Sequence, residues 1–148
     1  MPLPDAPLIF TDGSKTGCRA YLVHGSTPVT LQFSPASSQV IELHIVIKVF
    51  ELYSASFNLI SDSQYVVNLL AVLKVVGKVN FRSTIGDLLN KLQSLILNRS
   101  YPDFVQHIQA HTGLPDPLAE GNDLVDKAAR AASAFLIQTP VELAHSFM

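Results

Sequence analysis

The apolar residues of this chain fall into short runs and longer periodic stretches, and their order leaves few folds open. Leu8-Ile9-Phe10 is a compact strand that runs into the turn Thr11-Asp12-Gly13-Ser14. Ala20–His24 and Val29–Phe33 read as two more strands, joined by a turn at Gly25-Ser26-Thr27-Pro28, so the three suggest an antiparallel meander. The serine-rich segment 34–38 reads as a loop and helix cap, and a helix is expected over 39–53. Two later strands, Phe57–Ser61 and Phe104–Ala110, stand among helices expected over 64–75, 83–98 and 120–137. The third helix carries an apolar stripe of Ile85, Leu88, Leu89, Leu92, Leu95 and Ile96, and the fourth is alanine-rich. Strands first, then helix and strand in alternation, describe an α/β domain with a mixed sheet.

A chain of 148 residues suits one domain with one core. Hydrophobic residues make up 48% of it and its mean hydropathy is +0.30, yet no apolar run reaches the roughly 20 residues that span a bilayer. The longest, 40–50 and 66–76, are interrupted by Glu42, His44, Lys48, Asn68 and Lys74. Residues 1–7, with Pro2, Pro4 and Pro7, read as a loose leader without the basic start and apolar stretch of a signal peptide. The expectation is a soluble protein that is not secreted and has no membrane partner. Cys18 is the only cysteine, which excludes an internal disulfide and a multi-cysteine zinc site. The formal net charge of −2 runs against the basic face usual in a nucleic-acid binder.

The placement of the acids is more telling than their number. Asp12 and Asp62 each stand just beyond the end of an apolar strand, where ligand sites of α/β sheets gather. Glu42 lies near the start of the helix after the meander, and Asp126 lies in the last helix. Four carboxylates on one spot would repel one another unless cations stood between them, and oxygen-only ligation is what Mg²⁺ prefers. Each acid taken singly is equally open to a plainer role as a turn residue or helix cap. At this level a carboxylate metal site is one option among several.

Longer strings of residues narrow the choice. Thr11-Asp12-Gly13-Ser14, Glu42-Leu43, Ser61-Asp62-Ser63-Gln64-Tyr65 and the stretch 107–127 (HIQAHTGLPDPLAEGNDLVDK) stand in order along the chain. Together they resemble the ribonuclease H domain of retroviral Pol polyproteins, most closely betaretrovirus-like and endogenous elements, from about Leu8 to Ala132. The resemblance implies a ribonuclease H-like fold over 8–137, with a mixed five-stranded sheet of order 3-2-1-4-5 and helices on both faces. It implies cleavage of the RNA strand of RNA–DNA hybrids by two Mg²⁺ ions, with Mn²⁺ as a substitute. Asp12, Glu42, Asp62 and Asp126 would hold the metals, with Asp12 bridging both. The products would carry a 5′-phosphate and a 3′-hydroxyl.

His111, set among Gly113, Pro115 and Pro117, matches the mobile-loop histidine that aids proton handling or product release; its plainer role is a loop histidine bonded to backbone. Gln39 falls where the family reads the minor groove and its 2′-hydroxyls. Gln64 and Tyr65 fall where it touches the nucleic acid, with core packing an equal alternative for Tyr65. Gly13, Ser14 and Lys15 are expected near phosphate, and Asn122 to cap or brace the last helix.

Three further expectations follow. Val46, Ile47, Val49, Phe50 and Leu52, with Ile45, leave the helix after Glu42 little polar face. A helix apolar all round should be buried on most sides, which points to a partner such as the polymerase region of the same polyprotein, or to drift in an old endogenous copy. Between the second and third helices the only basic residues are Lys74, Lys78 and Arg82, so the isolated domain should grip hybrid weakly. Residues 138–148, including VELAHSFM, resemble a linker toward an integrase-like region. The setting implied is cytoplasmic or virion-associated. The leading function is the hybrid-specific endoribonuclease; a catalytically silent hybrid-binding or scaffold domain and another nuclease on the same sheet are its rivals.

Overall fold

The computed structural model describes residues 2–13, 18–32, 37–78, 85–109 and 117–138. Five strands form one sheet in the order β3-β2-β1-β4-β5, as the sequence reading expects. The strands are β1 (Leu8–Gly13), β2 (Cys18–Val23), β3 (Val29–Gln32), β4 (Phe57–Ser61) and β5 (Asp103–His107). β1, β2 and β3 are joined antiparallel, whereas β4 runs parallel to both β1 and β5. The helices are α1 (Ser38–Leu52), α2 (Gln64–Val75), α3 (Gly86–Leu97) and α4 (Pro117–Gln138).

Several boundaries differ from the sequence reading, and those of β1, β5 and α4 have a local reason. β1 continues through Thr11-Asp12-Gly13 because β2 keeps pairing with it as far as Gly13↔Arg19. β5 stops at His107, since its neighbour β4 ends at Ser61 and only Ile108 N–H still finds the Ser61 carbonyl, at 3.0 Å. Helix α3 is described from Gly86, with 83–84 outside the described residues. Helix α4 begins earlier than expected, at Pro117, whose fixed φ suits a first helical turn.

Successive residues of a strand face opposite sides, and the core divides accordingly. Ile9, Tyr21 and Leu59 join the larger cluster with α1, α2 and α3. Phe10, Ala20, Leu22 and Ile60 join Val125 and Ala129 of α4 on the other face. The apolarity of α1 therefore has a cause within the domain. Ile41, Leu43, Ile45, Val46, Ile47, Val49 and Phe50 are all buried, because α1 is enclosed by β1 and β2 on one side and by α2 and α3 on the other.

Two contacts secure the ends of this sandwich. A Cβ built on Gly121 of α4 would lie 2.3 Å from the ring of Phe10; the bare backbone lets the helix settle onto the centre of β1. At the opposite end of the sheet the leader is tied to Asn58, which is 1% exposed. The Asn58 amide donates to Leu3 O at 3.0 Å and to Ala6 O at 3.1 Å, and its oxygen accepts from Leu3 N–H at 2.7 Å. Nearby, the Arg99 guanidinium lies 4.4 Å from the Phe57 ring centroid and donates to Tyr53 O and Ala55 O.

Gly121→Ala should destabilise the fold by about 1–3 kcal/mol through overpacking. The loss should shrink in a Phe10→Leu background, as read by urea denaturation of the double-mutant cycle. Asn58→Ala should lower the unfolding free energy by about 1 kcal/mol, because it removes three hydrogen bonds to partly buried backbone groups of residues 3 and 6.

Candidate active site

The parallel register of β1 and β4 ends at Thr11↔Ser61. The next residue of each strand is an aspartate, so Asp12 and Asp62 leave the carboxyl ends of adjacent strands side by side. The chain departs from β1 to one side through β2 and returns on the other through β4, which makes this the switch point where α/β sheets hold ligands.

Glu42 reaches the same place from α1. The Ser37 side chain caps that helix by accepting from Val40 N–H at 3.3 Å. Thr11, Asp12, Glu42, Ser61, Asp62 and Ser63 line one narrow pocket too tight to hold a water molecule, with Ile45, Val46 and Val66 as its apolar wall. Ser63 organises the pocket. Its hydroxyl donates to Glu42 Oε2 at 2.7 Å and accepts from Val66 N–H at 3.2 Å, so one side chain caps α2 and holds the Glu42 carboxylate. Ser61 Oγ accepts from Ser63 N–H at 3.0 Å, and His107 Nε2 lies 3.2 Å from the Asp62 carbonyl oxygen. Burial pushes the Tyr65 phenol up in pKa, and the Glu42 carboxylate beside it adds to the shift.

Asp126 approaches on α4, next to the buried Val125, and is not among the residues lining that pocket. Its Oδ2 lies 2.8 Å from Arg130 Nη2; the Asp126 side chain is 17% exposed and that of Arg130 63%. Oδ2 of Asp12 and Oδ2 of Asp126 are both shielded from solvent.

The donor chemistry fits a hard divalent cation. Carboxylate oxygens shielded from water, as Asp12 Oδ2 and Asp126 Oδ2 are, favour positive charge beside them, and oxygen donors favour Mg²⁺ over softer metals. Among the described residues, however, no three His, Cys, Asp or Glu side chains are gathered as a metal cage. Glu42 is turned onto Ser63 and Asp126 onto Arg130.

The other residues singled out in the sequence are spread around this centre. Gly13 is the last residue of β1, and Gln39 is exposed in the first turn of α1. Gln64 is exposed at the start of α2, where its amide donates to Asn68 Oδ1 at 2.8 Å. Tyr65 packs against the larger core cluster. Asn122 lies inside α4, five residues after its first residue, and is buried, so it does not cap the helix. Ser14, Lys15 and His111 lie outside the described residues.

The ribonuclease H family model matches residues 4–134. The chain belongs to the ribonuclease H family. That family in general depends on a divalent metal. The chain is 40% identical over 130 residues to the Gag-Pro-Pol polyprotein of Squirrel monkey retrovirus, a match covering 87% of this chain and 7% of that polyprotein. It is 36% identical over 134 residues to the Gag-Pro-Pol polyprotein of Mason-Pfizer monkey virus, covering 90% of this chain and 8% of the polyprotein. To the Intracisternal A-particle Pol-related polyprotein of Mouse intracisternal a-particle MIA14 it is 35% identical over 145 residues, 97% of this chain and 16% of the relative. The chain thus spans a small part of the relatives it matches.

Sequence reasoning gave no role to Ser63, Arg130 or His107. The signals for the first two were available: a serine between strand and helix is a cap, and an arginine four residues after an aspartate on a helix shares its face. The contact of His107 with a backbone carbonyl leaves no trace in sequence. Ser63→Ala should cost about 1 kcal/mol as a lost cap and lower metal affinity about tenfold through loss of the Glu42 donor. Ser63→Thr should retain both properties, as checked by denaturation and metal titration.

Proposed function

We propose that this chain hydrolyses the RNA strand of RNA–DNA hybrids, with Asp12, Glu42, Asp62 and Asp126 holding two Mg²⁺ ions that Mn²⁺ can replace. The observation that supports this reading is the convergence of Asp12, Glu42 and Asp62 on one narrow crevice at the switch point of the sheet. Once bound, such ions supply an activated water and neutralise charge on the attacking and leaving oxygens of the phosphodiester. The chain's own residues then have separable tasks. Ser63 orients Glu42 through its 2.7 Å hydrogen bond. Asp12 leads from the middle of the sheet toward α4, and is the acid suited to serve both ions. Gln39, exposed near the N-terminal end of α1, is available to a 2′-hydroxyl, the group that separates RNA from DNA. Gln64 and Tyr65 would touch the nucleic acid from α2, while Gly13 and Ser14 would meet phosphate and His111 would handle protons or product release.

The natural partners would be the hybrid and the reverse transcriptase region of the same polyprotein, with a virion or cytoplasmic setting. Among the described residues no helix is long and apolar enough to cross a membrane. Lys74, Lys91, Arg99 and Arg130 are each ion-paired with an acid of this chain, so little of that positive charge is available to neutralise phosphate. Isolated, the domain should bind hybrid weakly.

A second reading, a hybrid-binding domain that no longer cuts, is favoured by the ion pair that engages Asp126. Cleavage of a labelled RNA–DNA hybrid, with Mg²⁺, Mn²⁺ or EDTA, separates the two. Metal-dependent loss of RNA alone, abolished by Asp62→Asn, is the expected result. A folded chain that cuts nothing at high enzyme and low salt would overturn the first reading for the isolated domain.

A further inference from the structure

Asp126 and Arg130 stand four residues apart on α4, the spacing at which helical side chains meet. Their exposures are unequal. The Asp126 side chain is 17% exposed, and its Oδ2 is shielded from solvent. Arg130 is 63% exposed, so it can leave the pair and be rehydrated by a small rotation outward. Asp126 lacks that freedom, and a shielded carboxylate calls for a positive neighbour. The guanidinium already there meets part of that demand, and a divalent cation would meet it too.

We propose that Arg130 is a built-in rival of the divalent cation at Asp126. The guanidinium neutralises Asp126 and so stabilises the helix while no cation is bound, and it must swing away before that carboxylate can ligate one. This makes Arg130 a positioning residue that sets the cation concentration at which Asp126 joins the site. The inference rests on the metal reading given above. The neighbouring Lys127 supplies an internal comparison: it carries the same charge and is exposed, but one residue on from Asp126 it does not share its face.

The test is calorimetric titration of the full chain with Mg²⁺ and with Mn²⁺, without nucleic acid, so the readout does not depend on cleavage. Arg130→Gln should bind the cation about threefold more tightly than the wild type, the scale of a partly exposed ion pair. Lys127→Gln should shift much less, and Arg130→Lys should fall back toward the wild type. An unchanged or weaker affinity in Arg130→Gln would overturn the inference while leaving the metal reading intact, as would an equal shift in Lys127→Gln. Binding by Arg130→Gln but not by the wild type would support it and favour the silent reading. Binding by neither would overturn both.

Discussion

The approach of Gly121 to the Phe10 ring governs where the last helix lies, and the site depends on that helix. Phe10 precedes Asp12 by two residues, roughly 7 Å of strand. Gly121 precedes Asp126 by five, roughly 7 Å of helix. The contact therefore lies within a short lever of both acids. A side chain at position 121 would have to displace a ring that has no exposed surface. Close packing of α4 thus fixes where Asp126 lies along the face of the sheet that Phe10 and Asp12 share.

The remaining acids are placed by different means. Asp12 and Asp62 are fixed by backbone hydrogen bonding, since the parallel register of β1 and β4 delivers both at one edge. Glu42 depends on α1, a helix held by burial along most of its length, and on the Ser63 hydroxyl. Asp126 depends on side-chain packing and an ion pair. Rigidity is therefore graded across the site, greatest at the strand ends and least where a partly exposed arginine holds the carboxylate.

What was legible in the sequence follows the same gradient. Short apolar runs bounded by turn residues gave the strands, and the strand-end aspartates could be singled out from that pattern alone. Glu42 and Asp126 could not, because a carboxylate on a helix has no local mark of its partners; the family resemblance supplied them. Strand ends were misjudged where the partner decides the length: β1 outlasts its apolar run because β2 pairs with it, and β5 stops when β4 does. Helix α1 looked like a surface waiting for a partner because periodicity reports how apolar a helix is and not what encloses it. Sheet and neighbouring helices cover it on most sides.

The net charge of −2 looked like an objection to nucleic-acid chemistry, and the ion pairs change its meaning. Carboxylates at the carboxyl ends of the strands are themselves a source of negative charge, so a domain of this size that carries them there has less net positive charge. The cost falls on affinity, since four of its basic side chains are committed to acids of the same chain. Two of those pairs, Lys74 and Arg99 with Asp103, tie β5 to α2 and to the segment after α3, and neither can be released to phosphate without leaving a largely buried carboxylate behind. Arg130 is the exception, because its release is balanced by whatever cation replaces it. Weak binding of hybrid by the isolated domain, as proposed, would follow from how the fold is held together, and an adjoining region that supplied positive charge would strengthen it.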